Sequence, residues 1–186
     1  MVRTAHPNFS NLHIGHTQLR LAEPSDAAYI YSLRVDTGLN TYLSSAPPSV
    51  QAQQEWIVAY KAREANQLEH YFIICARNGQ PCGTVRLYDY SDSSFCWGSW
   101  ILDSQKSRFS AIESALLVYE AGFERLGFPG SHFDVRKNNL KVISFHEKMG
   151  ARIVNEDELN LYFEISPADV AERTDALLRI IGETKK

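Results

Sequence analysis

The sequence predicts an α+β fold, in which a mixed and mostly antiparallel sheet packs against helices and an additional helix ends the chain. Three strand-like segments in succession, separated only by turn residues, predict an antiparallel meander in the middle of the chain. Strand and helix patterns then alternate, and a capped amphipathic segment follows them. Because no repeat, low-complexity tract or linker divides the 186 residues, we expect one domain.

The first elements are a short strand and two helices. Residues 18–21 alternate between polar and apolar side chains, and residues 23–26 supply the proline, serine and acidic residues that start a helix. After two prolines, Ser49 is placed to cap a second and more polar helix, which ends around Asn66. We expect residues 1–17, before the strand, to form a flexible N-terminal arm.

The meander and the helix after it have the clearest patterns. Residues 70–76, 82–90 and 94–102 are rich in β-branched and aromatic residues and are predicted to be its strands. Five apolar side chains then recur at helical spacing on one face: Ile112, Ala115, Leu116, Tyr119 and Phe123. This helix is predicted to stop near Gly127.

The last third of the chain alternates strand and helix. Residues 131–135 and 159–165 are predicted strands, and the helix between them ends at Gly150. A capping serine, a proline and an acid at residues 166–169 then begin the final helix, in the segment 167–186. Its apolar face covers either the core of the same chain, which we prefer, or a second subunit in a homodimer.

Charge and composition exclude several classes of partner. Nineteen Lys and Arg against 22 Asp and Glu give a net charge of −3, so no positive field attracts nucleic acid or anionic lipid. No apolar run approaches the roughly 20 residues of a membrane-spanning helix, and the first residues do not resemble a signal peptide. We therefore expect a cytoplasmic protein that binds neither nucleic acid nor membranes.

The cysteines and histidines predict neither disulfides nor a metal site. Three cysteines lie in strand-like segments without a CxxC pair: Cys75, Cys82 and Cys96. A reduced and buried thiol is ordinary there, and a nucleophilic Cys96 is the alternative. Because His6, His13 and His16 fit no helix face and no compact ligand set, we expect no metal.

The polar loop between the third meander strand and the next helix is a candidate anion site. The start of a helix has unpaired N–H groups and the positive end of the helix dipole. Lys106 and Arg108 add positive charge to this loop, and Ser107 and Ser110 add hydroxyl donors. The loop therefore has the groups needed to neutralise a pyrophosphate.

Several segments together resemble the acyl-coenzyme A site of the GNAT N-acetyltransferase superfamily. They are Trp97 to Leu102, the loop Lys106 to Ala111, Glu113, Asn139, and Glu147 to Gly150. The similarity runs from about residue 19 to residue 165 and includes the order of the helices and strands. It implies a twisted sheet with helices on both faces and a GNAT-like acetyltransferase domain over residues 18–166. It also implies acetyl transfer from acetyl-coenzyme A to a small-molecule primary amine, with no metal.

The resemblance assigns the residues that bind coenzyme A. In the family, backbone amides of a glycine-containing turn wrap the pyrophosphate, and Phe109 stands at the position of the central glycine. Phe109 therefore either holds ordinary helical dihedrals with its ring turned outward or obstructs the phosphates. The assigned residues lie on the strand, the turn and the start of a later helix: Trp100, Ile101, Leu102, Lys106, Ser107, Arg108, Phe109, Ser110, Ala111 and Asn139. For Asn139 the alternative is a simple helix-start residue.

The resemblance places His146 where many family members have a tyrosine that protonates the departing thiolate. With an unperturbed pKa of about 6.5, an imidazole is a sensible general acid. The alternative is a hydrogen-bonded core histidine, since His146 shares a helix face with Val142, Phe145 and Met149.

The proton lost by the attacking ammonium has no clear receiver in the sequence. Ser99, Asp89 and Tyr88 are candidate relays through water, and none is singled out as a base. Because no nucleophile and base pair occurs at a recognisable spacing, we expect direct transfer without a covalent intermediate.

Residues 138–150, together with residues 34–44, look most like acetyltransferases that modify amino-sugar nucleotides for bacterial surface glycans, including those of pseudaminic acid synthesis. Those relatives acetylate a 4-amino group on a UDP-linked deoxysugar. By this resemblance Arg34 faces the diphosphate of the acceptor, and the alternative is an ordinary exposed arginine at the end of a helix. Tyr88 and Ser99 are also expected on the acceptor side. The alternatives are an acetyltransferase of protein amino termini, of the ribosomal-protein alanine class, and a non-catalytic GNAT-fold binding protein.

Overall fold

The computed structural model describes residues 7–182 and contains one eight-stranded sheet. Its strands, in chain order, are β1 (His13–Ile14), β2 (Thr17–Leu21), β3 (His70–Ala76), β4 (Pro81–Tyr88), β5 (Phe95–Leu102), β6 (Ser131–Arg136), β7 (Arg152–Glu156) and β8 (Asn160–Ile165). They lie in the order β1-β2-β3-β4-β5-β6-β8-β7. Every neighbouring pair is antiparallel except β5 and β6, which are parallel.

Five α-helices accompany the sheet within the described residues. They are α1 (Ala27–Val35), α2 (Val50–Ala65), α3 (Ser110–Tyr119), α4 (Leu140–Met149) and α5 (Pro167–Ile181). A short 3-10 turn precedes α1, and α3 continues as a π-helical turn over Glu120–Arg125. The predicted boundaries at Ser49 and Gly150 are confirmed, because Ser49 Oγ caps α2 at 3.1 Å from Ala52 N and Gly150 ends α4 with a φ of +104°.

Side-chain alternation along the central strands divides the core in two. Phe72 and Ile74 of β3 belong to a large cluster that includes the buried faces of α3 and α5. Tyr71 and Ile73 belong to a second cluster, which includes Ile57 of α2. The predicted α+β class, with a mixed and mostly antiparallel sheet and helices on both faces, is confirmed.

The expectation of a flexible arm over residues 1–17 is wrong for the part that the structure describes. Phe9 and Leu12 are buried in the large cluster, and β1 pairs with β2 at the edge of the sheet. Burial of these two apolar side chains removes apolar surface from water and so helps to hold this segment on the core. Residues 1–6 lie outside the described residues.

The final helix packs on its own chain. Val170, Leu177, Leu178 and Ile181 are buried in the large cluster, and α5 lies against α3 and α4. The predicted C-terminal helix is therefore present, and its apolar face covers the core as preferred.

Two features of β5 open the sheet beside α3. Thr84 pairs with Ile101 and Arg86 pairs with Gly98, so Ser99 and Trp100 form a bulge, and Ser99 has a φ of +48°. On its other side, β5 pairs with β6 only at Phe95 and Cys96. Beyond these residues the two parallel strands separate, which leaves backbone groups of β5 free of sheet partners.

No helix among the described residues is both long and apolar enough to cross a bilayer. Over the same range, no group of three or more His, Cys, Asp or Glu side chains is placed to hold a metal ion. His6, one of the three histidines considered above, lies outside that range. The three cysteines are free and buried, and burial raises the pKa of the Cys96 thiol to about 11, so a nucleophilic Cys96 is not supported.

Candidate active site

The turn before α3 is shaped by its own hydroxyl groups. The N–H of Ser107 donates to Ser110 Oγ at 2.9 Å, and the N–H of Phe109 donates to Ser107 Oγ at 3.2 Å. Ser110 Oγ donates to Ser107 Oγ at 3.1 Å, so of the two hydroxyls predicted to donate to phosphate only that of Ser107 keeps its proton free. The backbone N–H groups of Arg108, Ala111 and Ile112 have no acceptor among residues 7–182 and lie at the positive end of α3.

Phe109 has an ordinary backbone conformation, with φ −105° and ψ −6°. These are the ordinary dihedrals of the first predicted alternative, which need no glycine, but the ring does not turn outward as that alternative expected. The ring is half-buried against the large core cluster, and the Arg108 guanidinium lies over it at 4.2 Å from the ring centroid. Lys106 and Arg108 are both exposed, and Lys106 Nζ donates to the carbonyl of Asp103 at 3.1 Å.

A buried carboxylate in the first turn of α3 attaches this helix to the turn between β1 and β2. Glu113 is fully buried, and it accepts hydrogen bonds from Thr17 Oγ1 at 2.6 Å and from the N–H of His16 at 3.2 Å. Gly15 crosses so close to Glu113 Oε1 that a Cβ at this position would collide with it. The β1–β2 turn, which the sequence analysis left in the arm, therefore supports the candidate anion site.

Aromatic rings pack around His146 near the point where β5 and β6 separate. Trp97, Trp100, Phe133 and Phe145 pack around His146, and Trp100 Nε1 donates to Ser114 Oγ at 3.2 Å. Ile101 is buried and Leu102 is half-buried at the end of β5. The side chains of Trp100, Ile101 and Leu102 thus belong to the core, which leaves the strand's backbone as the part available to a ligand.

Asn139 precedes α4 at the far side of this opening. Asn139 stands at the N-cap position, but its side chain makes no hydrogen bond to the helix, so it does not act as a capping residue. Tyr42, from the loop between α1 and α2, reaches across to the carbonyl of Asn138 at 3.4 Å.

His146 is 4% exposed, and its ring lies 4.2 Å from Phe133 and 5.2 Å from Trp97, measured between ring centroids. Burial lowers the pKa of His146 to about 3, so the imidazole is neutral at pH 7. Its Nδ1 has no hydrogen-bond partner among the described residues. A neutral imidazole can donate a hydrogen bond to a thiolate but holds no readily transferable proton, and its role as a general acid stays a prediction.

A cleft of about 290 Å³ lies on the other side of the β5 bulge, between the sheet and the loop that joins α1 to α2. Its lining includes Arg34, Gln53, Trp56, Tyr71, Arg86 and Ser99. No Asp or Glu is among the described residues that line it. The cleft therefore presents two guanidinium groups and two aromatic walls next to the strand that leads to the anion site.

Arg34 holds the wall of this cleft in place. Its Nη2 donates to the carbonyls of Ser44 and Ser45 at 3.1 and 3.0 Å and to Ser44 Oγ at 3.0 Å. These bonds use one side of the guanidinium and fix the loop between α1 and α2. Of the other two residues predicted to contact the acceptor, Ser99 lines the cleft. Tyr88 does not line it, and its ring lies under the guanidinium of Arg86.

Arg86 was not identified from the sequence, yet it is the best-positioned cation of the cleft. Its Nε and Nη2 donate to Glu69, which is 3% exposed and also pairs with Arg63. The guanidinium lies 5.4 Å from the ring centroid of Trp56 and 4.8 Å from that of Tyr88. Its Nη1 makes no hydrogen bond within residues 7–182, so one edge is left for a ligand. An arginine inside an otherwise apolar strand was the available sequence signal.

The third candidate relay, Asp89, is exposed, follows the last residue of β4 and pairs with His132 at 3.2 Å. It is not among the residues that line the cleft. No carboxylate therefore accompanies Ser99 there.

Comparisons with known proteins give one family and many related structures. Residues 16–152 match the family model described as an acetyltransferase (GNAT) domain. Comparison with curated proteins finds no match. The solved structure of apo FdhC, described as a nucleotide-linked sugar GNAT, is 50% identical, with a TM-score of 0.85 over 92% of this chain and 98% of that one.

Two more distant structures share the fold. A GCN5-related N-acetyltransferase from Brucella melitensis is 14% identical, with a TM-score of 0.76 over 95% of this chain and 87% of that one. The spermidine/spermine N-acetyltransferase SpeG from Vibrio cholerae is 16% identical, with a TM-score of 0.66 over 87% of this chain and 99% of that one.

Proposed function

The chain belongs to the GNAT acetyltransferase family and is an acyltransferase, and from this premise we propose that it acetylates the primary amine of an amino-sugar nucleotide. Acetyl-coenzyme A is the proposed donor. The observation that carries the proposal is the cleft beside the β5 bulge, which presents Arg34 and Arg86 and no carboxylate. Such a cleft favours an anionic acceptor, and a nucleotide sugar carries its charge on a diphosphate.

The donor side rests on the turn before α3. The free N–H groups of Arg108, Ala111 and Ile112 would receive the pyrophosphate of coenzyme A, with Lys106 supplying positive charge. The pantetheine arm would lie between the separated ends of β5 and β6, against the backbone of Trp100 to Leu102 and the free amide of Asn139. The coenzyme supplies the activated acetyl thioester.

The acceptor side rests on the arginines. Arg86 is held rigidly by Glu69 and by the rings of Trp56 and Tyr88, so little entropy is lost when its free edge binds a phosphate oxygen. A polycation such as spermidine, the substrate named for one structural neighbour, would instead bring ammonium groups next to two guanidinium groups. Sequence identity of 50% to a nucleotide-linked sugar GNAT supports the same acceptor class.

The proposed reaction is a direct transfer. The neutral amine forms a bond to the acetyl carbon, the carbon–sulfur bond breaks, and the amine loses a proton to water in the cleft. His146, neutral in its aromatic surroundings, would stabilise the departing thiolate by donating a hydrogen bond from its ring N–H. Because Cys96 is a buried thiol with a raised pKa, an acyl-cysteine intermediate is not part of the proposal.

The test is an acceptor panel with acetyl-coenzyme A, read as released free thiol. We expect turnover with a UDP-linked 4-amino-deoxysugar and none with spermidine or with UDP-glucose, which has the diphosphate but no amine. A peptide with a free N-terminal alanine serves as the competing acceptor. Turnover with the peptide and none with the sugar nucleotide would refute the proposal.

A further inference from the structure

Two buried polar atoms of the acceptor cleft have no hydrogen-bond partner among the described residues: Gln53 Oε1 and Arg34 Nε. Gln53 is 2% exposed and lies on the face of α2 that packs toward the sheet. Buried polar groups in folded proteins are almost always paired, because an unpaired one has lost its water without compensation. Both atoms belong to side chains that line one cleft, so a ligand held there is the nearest candidate partner for each.

The neighbouring side chains of the described residues are hydrogen-bonded to other groups and do not pair with these two atoms. The Nη2 of Arg34 is already committed to the loop at Ser44 and Ser45, which holds its Nε in place. The guanidinium of Arg86 is turned to Glu69 by two hydrogen bonds and does not bond to Gln53. An unpaired acceptor and an unpaired donor therefore belong to two side chains that line the same cleft.

We propose that Gln53 is a specificity-determining residue, whose Oε1 accepts a hydrogen bond from a neutral hydroxyl or acetamido group of the acceptor sugar while Arg34 Nε donates one to it. The inference rests on the proposed function, which places the acceptor in this cleft. A neutral group that both donates and accepts hydrogen bonds satisfies both atoms, whereas a phosphate could satisfy only the donor. Arg86 binds the charged part of the acceptor, and Gln53 with Arg34 binds an uncharged substituent.

A binding role and a structural role predict opposite results for Gln53→Met. Methionine has a similar length and no acceptor oxygen, so it removes a buried unpaired group without opening a large cavity. A binding role predicts a Tm equal to or above that of the wild type, together with an acceptor KM raised by roughly tenfold. A structural role predicts a lower Tm and an unchanged acceptor KM.

The experiment measures Tm, kcat and both KM values for the wild type, Gln53→Met and Gln54→Met. Gln54 is the matched control, because it is exposed on the same helix and does not line the cleft. We expect only Gln53→Met to raise the KM of a UDP-linked 4-amino-deoxysugar, with the KM of acetyl-coenzyme A unchanged. An unchanged acceptor KM, or a Tm several degrees lower, would overturn the assignment.

Two acceptor analogues identify the group that Gln53 contacts. One lacks the sugar hydroxyl next to the amine, and the other lacks the acetamido group. The wild type and Gln53→Met should have similar kcat/KM on whichever analogue lacks the contacted group. If neither analogue removes the difference, the assignment is overturned. If the wild type does not turn over the sugar nucleotide at all, the proposed function fails and this inference fails with it.

Discussion

Replacing Arg86 by leucine tests acceptor binding, and replacing Arg63 by leucine is the control for the accompanying loss of stability. Arg86 and Arg63 both pair with Glu69, but only Arg86 lines the cleft. A hydrogen bond to a charged group contributes about 1.5 to 3 kcal/mol, which corresponds to roughly a 10- to 150-fold change in affinity. We expect Arg86→Leu to raise the acceptor KM within that range and to leave the KM of acetyl-coenzyme A unchanged.

The same substitution weakens the fold, and the size of this effect follows from Glu69. That carboxylate is 3% exposed and keeps one of its two partners, Arg63, so the expected cost is about 1 to 3 kcal/mol. In a chain of this size, each kcal/mol lowers Tm by about 2 to 4 °C. Arg63→Leu should cost less, about 1 kcal/mol at most, because 38% of the Arg63 side chain is exposed and its ion pair is screened by solvent.

The assay is steady-state kinetics with the sugar nucleotide, together with thermal unfolding of both variants. The reasoning predicts that Arg63→Leu lowers Tm slightly and leaves the acceptor KM as in the wild type. Equal increases in acceptor KM for the two variants would mean that the loss comes from disturbed packing around Glu69. An Arg86→Leu variant with normal acceptor KM would refute the anionic acceptor.

Three further predictions concern His146 and the turn before α3. His146→Phe should lower kcat at least about tenfold with little change in the KM of acetyl-coenzyme A, and an unaltered kcat would return the ring to a packing role. Because the pKa of His146 is about 3 in the folded chain and about 6.5 when unfolded, the unfolded state binds the extra proton between these values. Wild-type stability in urea should therefore fall by about 1.4 kcal/mol per pH unit relative to His146→Phe as pH drops from about 6.5 toward 3. Lys106→Ala combined with Arg108→Ala should raise the KM of acetyl-coenzyme A several-fold at low salt and less in added KCl, since both side chains are exposed. An unaltered KM would place the phosphates elsewhere.

The sequence predicted elements whose signal is local. The caps at Ser49 and at residues 166–169, the end of α4 at Gly150 and the three meander strands all depend on residues within one turn or one strand of each other. The short strand β1 and the exposed strand β7 were missed. Neither has an apolar alternation of its own, and each is held by pairing to a neighbouring strand.

The cleft beside the β5 bulge could not be predicted from local patterns, because its wall is assembled from six separate parts of the chain. Arg34 comes from α1, Gln53 from α2, and Arg86 and Ser99 from neighbouring strands with a bulge between them. The sequence analysis placed Arg34 and Ser99 there by resemblance, but it had no means to align Arg86 with Glu69, 17 residues away. The unpaired state of Gln53 is likewise visible only when its neighbours are known.

The turn before α3 shows how a candidate anion site can be shaped without the usual glycine. A glycine permits a positive φ, but Phe109 stands at −105° and needs none. Ser107 and Ser110 instead use their hydroxyls to hold the N–H groups of Phe109 and Ser107, which fixes the shape of the turn. The N–H groups left over, at Arg108, Ala111 and Ile112, are those that start the helix and would point at a phosphate. Side-chain hydrogen bonds therefore replace backbone freedom in shaping this site, and Arg108 stacked on Phe109 places a positive charge at its rim.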